Sequence, residues 1–329
     1  MRAGHPVRGA LFAASLIAAT SVRAASALEL EATIPLAGVK GRIDHLSVDV
    51  KGHRLFVAAL GNDTVEVLDT QRNQRGSIPG LGEPQGVLYL AGSNRLFIAN
   101  GQADRVDVVD AGTLSVLKHV EDMPDADNVR YDAIARTVVV GYGRGALRFI
   151  DPATSESAGE VRLPGHPESF QLEQNGARAF VNVPSAHAVV VVDRWKRSVI
   201  AQWPTSRAFA NFPMALDEAG HRLFVGARVP AVLLVYDTES GKVTTRVDIG
   251  GDTDDLFYDA GRKRIYVVCG EGRVDVLRQE SPDQYVIESS TQTAPRARTG
   301  LFVPEESRLY VAAPATGSSS ARVLVYRVR

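Results

Sequence analysis

The chain has 329 residues, with 37 Lys and Arg against 38 Asp and Glu, so its formal net charge of −1 at pH 7 gives no general attraction to nucleic acid or anionic lipid. One cysteine, Cys269, excludes an internal disulfide. An apolar core must therefore hold the fold unaided, which a chain of this size can supply.

The first residues read as a secretory leader. Arg2 and Arg8 precede an apolar stretch from Leu11 to Ala19 that is too short to anchor in a bilayer, and Ala25-Ser-Ala27 supplies a small-residue cleavage pattern. A leader over 1–27 is expected, with a mature chain from about Leu28 and Val22-Arg-Ala24 as an alternative cut. The product is expected to be periplasmic or secreted, and with no cysteine at the new N-terminus it gains no lipid anchor. Losing Arg2, Arg8 and Arg23 and no acids moves the formal charge from −1 to −4.

After the leader comes an isolated strand, Leu28 to Ile34, and then a phrase that recurs seven times. The copies are Leu55-Phe-Val-Ala-Ala, Leu96-Phe-Ile-Ala-Asn, Val138-Val-Val-Gly-Tyr, Ala179-Phe-Val-Asn-Val, Leu223-Phe-Val-Gly-Ala, Ile265-Tyr-Val-Val-Cys and Leu309-Tyr-Val-Ala-Ala. Their spacings are 41, 42, 41, 44, 42 and 44 residues, the range of four-stranded propeller blades. Apolar residues alternate with period two, and each copy continues into a strand such as Thr64-Val-Glu-Val-Leu-Asp69. Six copies add a fourth strand and the seventh ends at Arg329 without one. The expected fold is all-β: a seven-bladed β-propeller over 28–329, closed when the N-terminal strand completes the last blade.

The seven cores, the Val-x-Val-x-Asp strands and the turn Asp237-Thr-Glu-Ser-Gly-Lys242 resemble the YVTN-repeat (YncE-like) family of secreted seven-bladed propellers. The resemblance spans the whole mature chain. It implies fold and export; members serve varied binding and enzymatic roles, so it does not assign an activity.

Seven aligned copies separate scaffold from site. Asp49, Asp132, Glu173, Asp217 and Asp259 recur in the turn after the first strand of a blade, and Asp69, Asp110, Asp151, Asp193 and Asp237 close the third. Such carboxylates cap turn amides. His53 and His221, each before an Arg-Leu-Phe-Val run, are expected to be turn residues too.

Positions that differ between copies lie where the first strand begins. Eleven residues before each core stand Asp44, Gln85, Asp127, Glu168, Phe212, Asp254 and Arg298, and ten before it His45, Gly86, Asn128, Ser169, Pro213, Asp255 and Thr299. That strand is innermost in a propeller, so these residues are expected around one mouth of the channel, joined by Arg42, Asp125, His166, Asn211, Asp252 and Arg296. A ring of Asp44, Asp127, Glu168, Asp254 and Asp255 calls for a counterion, whether a cation or the arginines Arg42, Arg296 and Arg298. Asp127, Asn128, Glu168 and Asp254 are the expected metal ligands, for Ca²⁺, Mg²⁺ or Mn²⁺ ahead of Zn²⁺. The chemistry is similar to the Glu, Asn and Asp set of lactonase-type propellers, which are six-bladed. Asp44, Gln85, Arg42, His166, Asn211 and Phe212 are expected to contact a ligand. A mouth that is polar only because it is wet would show the same residues.

Motifs for covalent haem, P-loop phosphates, helical zinc sites and the serine nucleophile elbow are absent from the sequence. Three readings follow. The first is an exported propeller holding a small molecule, a metal ion or another exported protein. The second is a metal-assisted hydrolase or lyase in which His45 or Asp255 is the general base and Arg298 steadies anionic charge. The third, single-stranded DNA binding, is disfavoured by the charge balance and by aromatics that fall mainly at repeated core positions. A closed ring has no edge that demands pairing, so a monomer is expected.

Overall fold

The computed structural model describes residues 26–72, 75–317 and 319–329, with Met1 and Gly4. The expected leader lies outside the described residues except for Met1, Gly4, Ser26 and Ala27. Seven antiparallel four-stranded sheets form the blades of a β-propeller, six of them meanders of consecutive strands. The first blade runs Leu46–Asp49, Arg54–Ala59, Thr64–Asp69 and Arg75–Ile78, strands A to D from the channel outward. Among the described residues no helix is long and apolar enough to cross a membrane.

The repeated phrase is strand B, and the fold explains its continuous apolarity. In Arg54–Ala59 every residue after Arg54 is buried, because blades pack against both faces. Leu55, Val57 and Ala59 join a cluster with Tyr310, Ala312 and Val323 of the seventh blade. Phe56 and Ala58 point the other way, into a cluster with Leu96 and Ile98 of the second. Alternate side chains of one strand thus weld two interfaces.

The ring closes as expected. Leu28–Pro35 is the outermost strand of the blade that contains Thr299–Val303, Arg308–Ala313 and Arg322–Val328, with Leu28 opposite Val328 and Pro35 opposite Arg322. The Arg329 amide donates to the Ala27 carbonyl, and the Leu36 amide to that of Ala321. A register shift between Leu30 and Ala32 bulges out Glu31, whose carboxylate accepts from Arg308 at 2.8 Å and Arg327 at 2.6 Å.

The recurring carboxylates do cap turns. Asp49 accepts from the Gly52 amide, Asp217 from Gly220, and Asp110 from both Gly112 and Thr113. His53 and His221 sit in left-handed turns at φ 54° and 53°. Cys269 is free and fully buried in its blade.

Candidate functional site

All seven residues eleven positions before a core meet in one cavity of about 250 Å³ at the channel mouth. They are joined there by Arg42, Asp125, His166 and His45, and by Arg228, which the repeat arithmetic does not reach. Neighbouring strands are laced together at this level: the His45 amide donates to the Gln85 carbonyl and the Asp255 amide to that of Arg298. Gly86 permits the closest approach, since a Cβ there would lie 2.2 Å from the Asp127 carbonyl oxygen.

The mouth divides into two halves of different chemistry. On one side, Arg228 and Arg298 grip Asp254 at 2.6 Å and 2.9 Å, and both also reach Asp252. The Arg228 guanidinium lies 4.0 Å from the centre of the Phe212 ring, a cation–π contact that covers the one aromatic wall. Burial raises the Asp254 pKa, opposed by these two arginines.

On the other side, Asp127, His166 and Glu168 present ligand atoms that all lie within 4.8 Å of one another. The His166 Nδ1 faces the Gly143 carbonyl at 2.6 Å and the Asp125 carboxylate at 3.4 Å, while Nε2 faces Asp127 at 3.7 Å. Burial opposes charge on His166, but Asp127, the Gly143 carbonyl and Asp125 outweigh it and lift its pKa to about 9. Burial, with Asp127 close by, pushes Glu168 up to about 8. Among the described residues nothing donates to the Glu168 carboxylate; it is the uncommitted acid of the mouth.

Between the halves sits His45. Its Nδ1 contacts Asp255 at 3.3 Å and its Nε2 lies 3.7 Å from Asp44. Burial works against the imidazolium, yet Asp255, Asp44 and Asp127 raise its pKa to about 10. Asp44 is raised to about 7, chiefly by burial, despite His45 and an ion pair with Arg42 at 3.0 Å. Asp255 also accepts the Gly300 amide at 2.9 Å, which ties it to the next blade.

The expected metal ligands are not all brought together. Asp127 and Glu168 meet as expected, but their third neighbour is His166. Asn128 is 1% exposed with its amide group lying against Asp127 and His45, and both Asp254 oxygens are taken by arginines. Asn211, expected to contact a ligand, is fully buried and donates to Asn182 Oδ1 and the Ala188 carbonyl. Asn211 stands twelve residues before its core, a position also buried at Ile43, Ala126, Thr253 and Ala297 in other blades, so alternation along the strand turns its side chain away from the mouth. Gln85 lines the mouth, with its amide near the Ala126 carbonyl and Asp125.

Below His45 and Asp255 the channel widens into a chamber of about 400 Å³. Eight residues before each core, a further ring faces it: Ser47, Leu88, Arg130, Gln171, Ala215, Phe257 and Leu301.

Fold and site together define a class, a seven-bladed β-propeller with a charged channel mouth. No family model and no curated protein matches the sequence. Among solved structures the chain is similar to a chain of the mitotic checkpoint complex, at 14% identity, TM-score 0.79 and 99% coverage of both chains. It is also similar to hydrazine synthase of Kuenenia stuttgartiensis, at 15% identity and TM-score 0.73, over 89% of this chain and 98% of the other. At these identities the likeness is one of fold.

Proposed function

We propose that this protein is an exported propeller of the YVTN-repeat kind whose channel mouth holds a divalent cation and, through it, a small molecule. The observation that carries the reading is the division of charge at the mouth. Arg42, Arg228 and Arg298 are committed to Asp44, Asp252 and Asp254, which leaves Asp127 and Glu168 with His166 as their basic neighbour. Two carboxylates so close, one of them held above neutral pKa, gain most from a bound cation. A cation there displaces the Nε2 proton that His166, with its pKa near 9, carries at neutral pH, and an imidazole in the set favours Mn²⁺ or Zn²⁺ over Ca²⁺ and Mg²⁺.

Binding is favoured over hydrolysis by the state of two of the three expected catalytic groups, His45 and Arg298. With its pKa near 10, His45 is an imidazolium at neutral pH and cannot accept a proton there. Arg298 is engaged with two aspartates and is not free to meet developing anionic charge. Nucleic acid is disfavoured because, among the described residues, Phe212 is the one aromatic side chain at the mouth besides the histidines, and Arg228 covers it.

A protein partner is the second reading. Phe209 and Val229 pair across the first two strands of the fifth blade and are 44% and 60% exposed. Both strands extend past the residues that line the mouth, so this apolar pair stands beside it.

The test is calorimetric titration of chelator-stripped protein with MnCl₂ and with ZnCl₂, repeated on Asp127→Asn and Glu168→Gln. One site per chain, weakened at least about tenfold by either substitution, supports the reading. Absence of binding, or binding indifferent to both substitutions, overturns it.

A further inference from the structure

The chamber below the mouth carries a feature that the cation site does not use. Its ring contains a single guanidinium, Arg130, among side chains that are otherwise neutral. The Arg130 Nη1 donates to the neighbouring Val129 carbonyl at 2.9 Å, and the guanidinium lies 5.6 Å from the centre of the Phe170 ring. Among the described residues no carboxylate comes within ion-pair distance of it, in a molecule where most half-buried arginines are paired. Asp127 and Asp255 act on Arg130 only from a distance, and burial pulls its pKa below the ordinary guanidinium range. Holding a half-buried cation without an anion is costly.

The rest of the chamber is amphipathic. Leu88, Phe257 and Leu301 supply apolar walls, and Gln171 adjoins Arg130 on the next blade. Ser47 Oγ already accepts the Tyr89 amide at 2.9 Å, so its hydroxyl proton remains to be donated. Its volume of about 400 Å³ is that of a small-molecule site. His45, positively charged, and Asp255 line the mouth end and offset one another, which leaves the chamber net positive.

We propose that this chamber is a second binding site, which takes a small organic carboxylate with its head on Arg130 and its apolar body against Leu88, Phe257 and Leu301. Arginine suits the head group because its planar fork can donate two parallel hydrogen bonds to a carboxylate. The proposal stands apart from the cation site, since Arg130 takes no part in the Asp127, His166 and Glu168 cluster.

Hexanoate and its neutral counterpart hexanamide separate charge recognition from simple burial of a hydrocarbon tail. Titrated into metal-free protein at pH 7.5, hexanoate is expected to bind at least about tenfold more tightly than hexanamide. Arg130→Met should abolish that preference while leaving the far-UV circular dichroism intact and the melting temperature no lower than the parent's, because it removes an unpaired charge. Arg130→Lys, which keeps the charge and alters its geometry, should retain part of the preference and serves as the check if the methionine variant fails to fold. Glu168→Gln should bind hexanoate as the parent does, which keeps this outcome distinct from that of the cation titration. Equal affinity for the two probes, no binding of hexanoate, or an undiminished preference in Arg130→Met would each overturn the proposal.

Discussion

Replacing Leu28 by alanine removes the main apolar anchor of the strand that closes the ring. Leu28 is 2% exposed and packs in a cluster with Ala27, Tyr326 and Val328, whereas Leu30, two residues along the same strand, is 53% exposed. The two leucines therefore make a matched pair, one buried and one not. Leu28→Ala loses the transfer energy of the side chain and leaves a cavity, a cost of about 2–5 kcal/mol. Leu30→Ala should change stability by no more than about 0.5 kcal/mol. For a fold of about 300 residues, at roughly 2 °C per kcal/mol, Leu28→Ala should melt about 4–10 °C below the parent. Thermal unfolding followed by circular dichroism measures this, with urea titration as a check that the midpoint moves at constant slope. Removing Leu28–Pro35 entirely should cost more than Leu28→Ala and expose the unpaired edge of Arg322–Val328 to association between molecules. If Leu28→Ala and Leu30→Ala melted together with the parent, the closing strand would not be holding the ring and the argument would fail.

Other consequences can be measured on the same material. Glu31, whose pKa is lowered to about 2 by its hydrogen bonds to Arg308 and Arg327, stabilises the closed ring fully above its unfolded value near 4.5 and loses that contribution as pH falls towards 2. At this partly exposed site Glu31→Gln should cost about 1 kcal/mol at pH 7 and nothing near pH 2, read from melts across that range. Arg194, 3% exposed, pairs with the buried Asp132 and donates to the Glu173, Gly176 and Ala177 carbonyls, joining the third and fourth blades. Arg194→Ala should therefore destabilise by about 3–5 kcal/mol in urea unfolding, and a loss under 1 kcal/mol would show that the pair is dispensable. Expressed with residues 1–27 in place in a Gram-negative host, the protein is expected in the periplasmic fraction with an intact mass beginning at Leu28; a mass that retains residues 1–27 would count against export.

Periodicity made the fold and the ring of the mouth readable because equal positions in each repeat occupy equal places around one axis. Counting back eleven residues found Asp44, Gln85, Asp127, Glu168, Phe212, Asp254 and Arg298, which share one cavity. The count fails where the repeat is locally irregular. Arg228 was missed because it stands at the end of an eight-residue second strand, Arg222–Val229, where the matching strands of the other blades have six residues. Its signal was Arg228-Val-Pro230, an apolar and basic insertion where a turn was due. Asn211 belongs to a different set, twelve residues before its core, where alternation buries the side chain in every blade. The choice of partners was also illegible: Asp254 and Asp127 look alike in sequence, yet two arginines converge on Asp254 and a histidine on Asp127. Arg130 is within reach of the same arithmetic, eight residues before its core, but lies past the strand starts where most of the polar residues that differ between copies stand.

The measurement that bears most directly on the mouth is anomalous diffraction at the manganese edge from crystals grown with MnCl₂. One strong peak bounded by the Asp127 and Glu168 carboxylates and the His166 ring is expected, and it should be lost in Glu168→Gln crystals. No peak there, or a peak that survives the substitution, would contradict the proposed cation site.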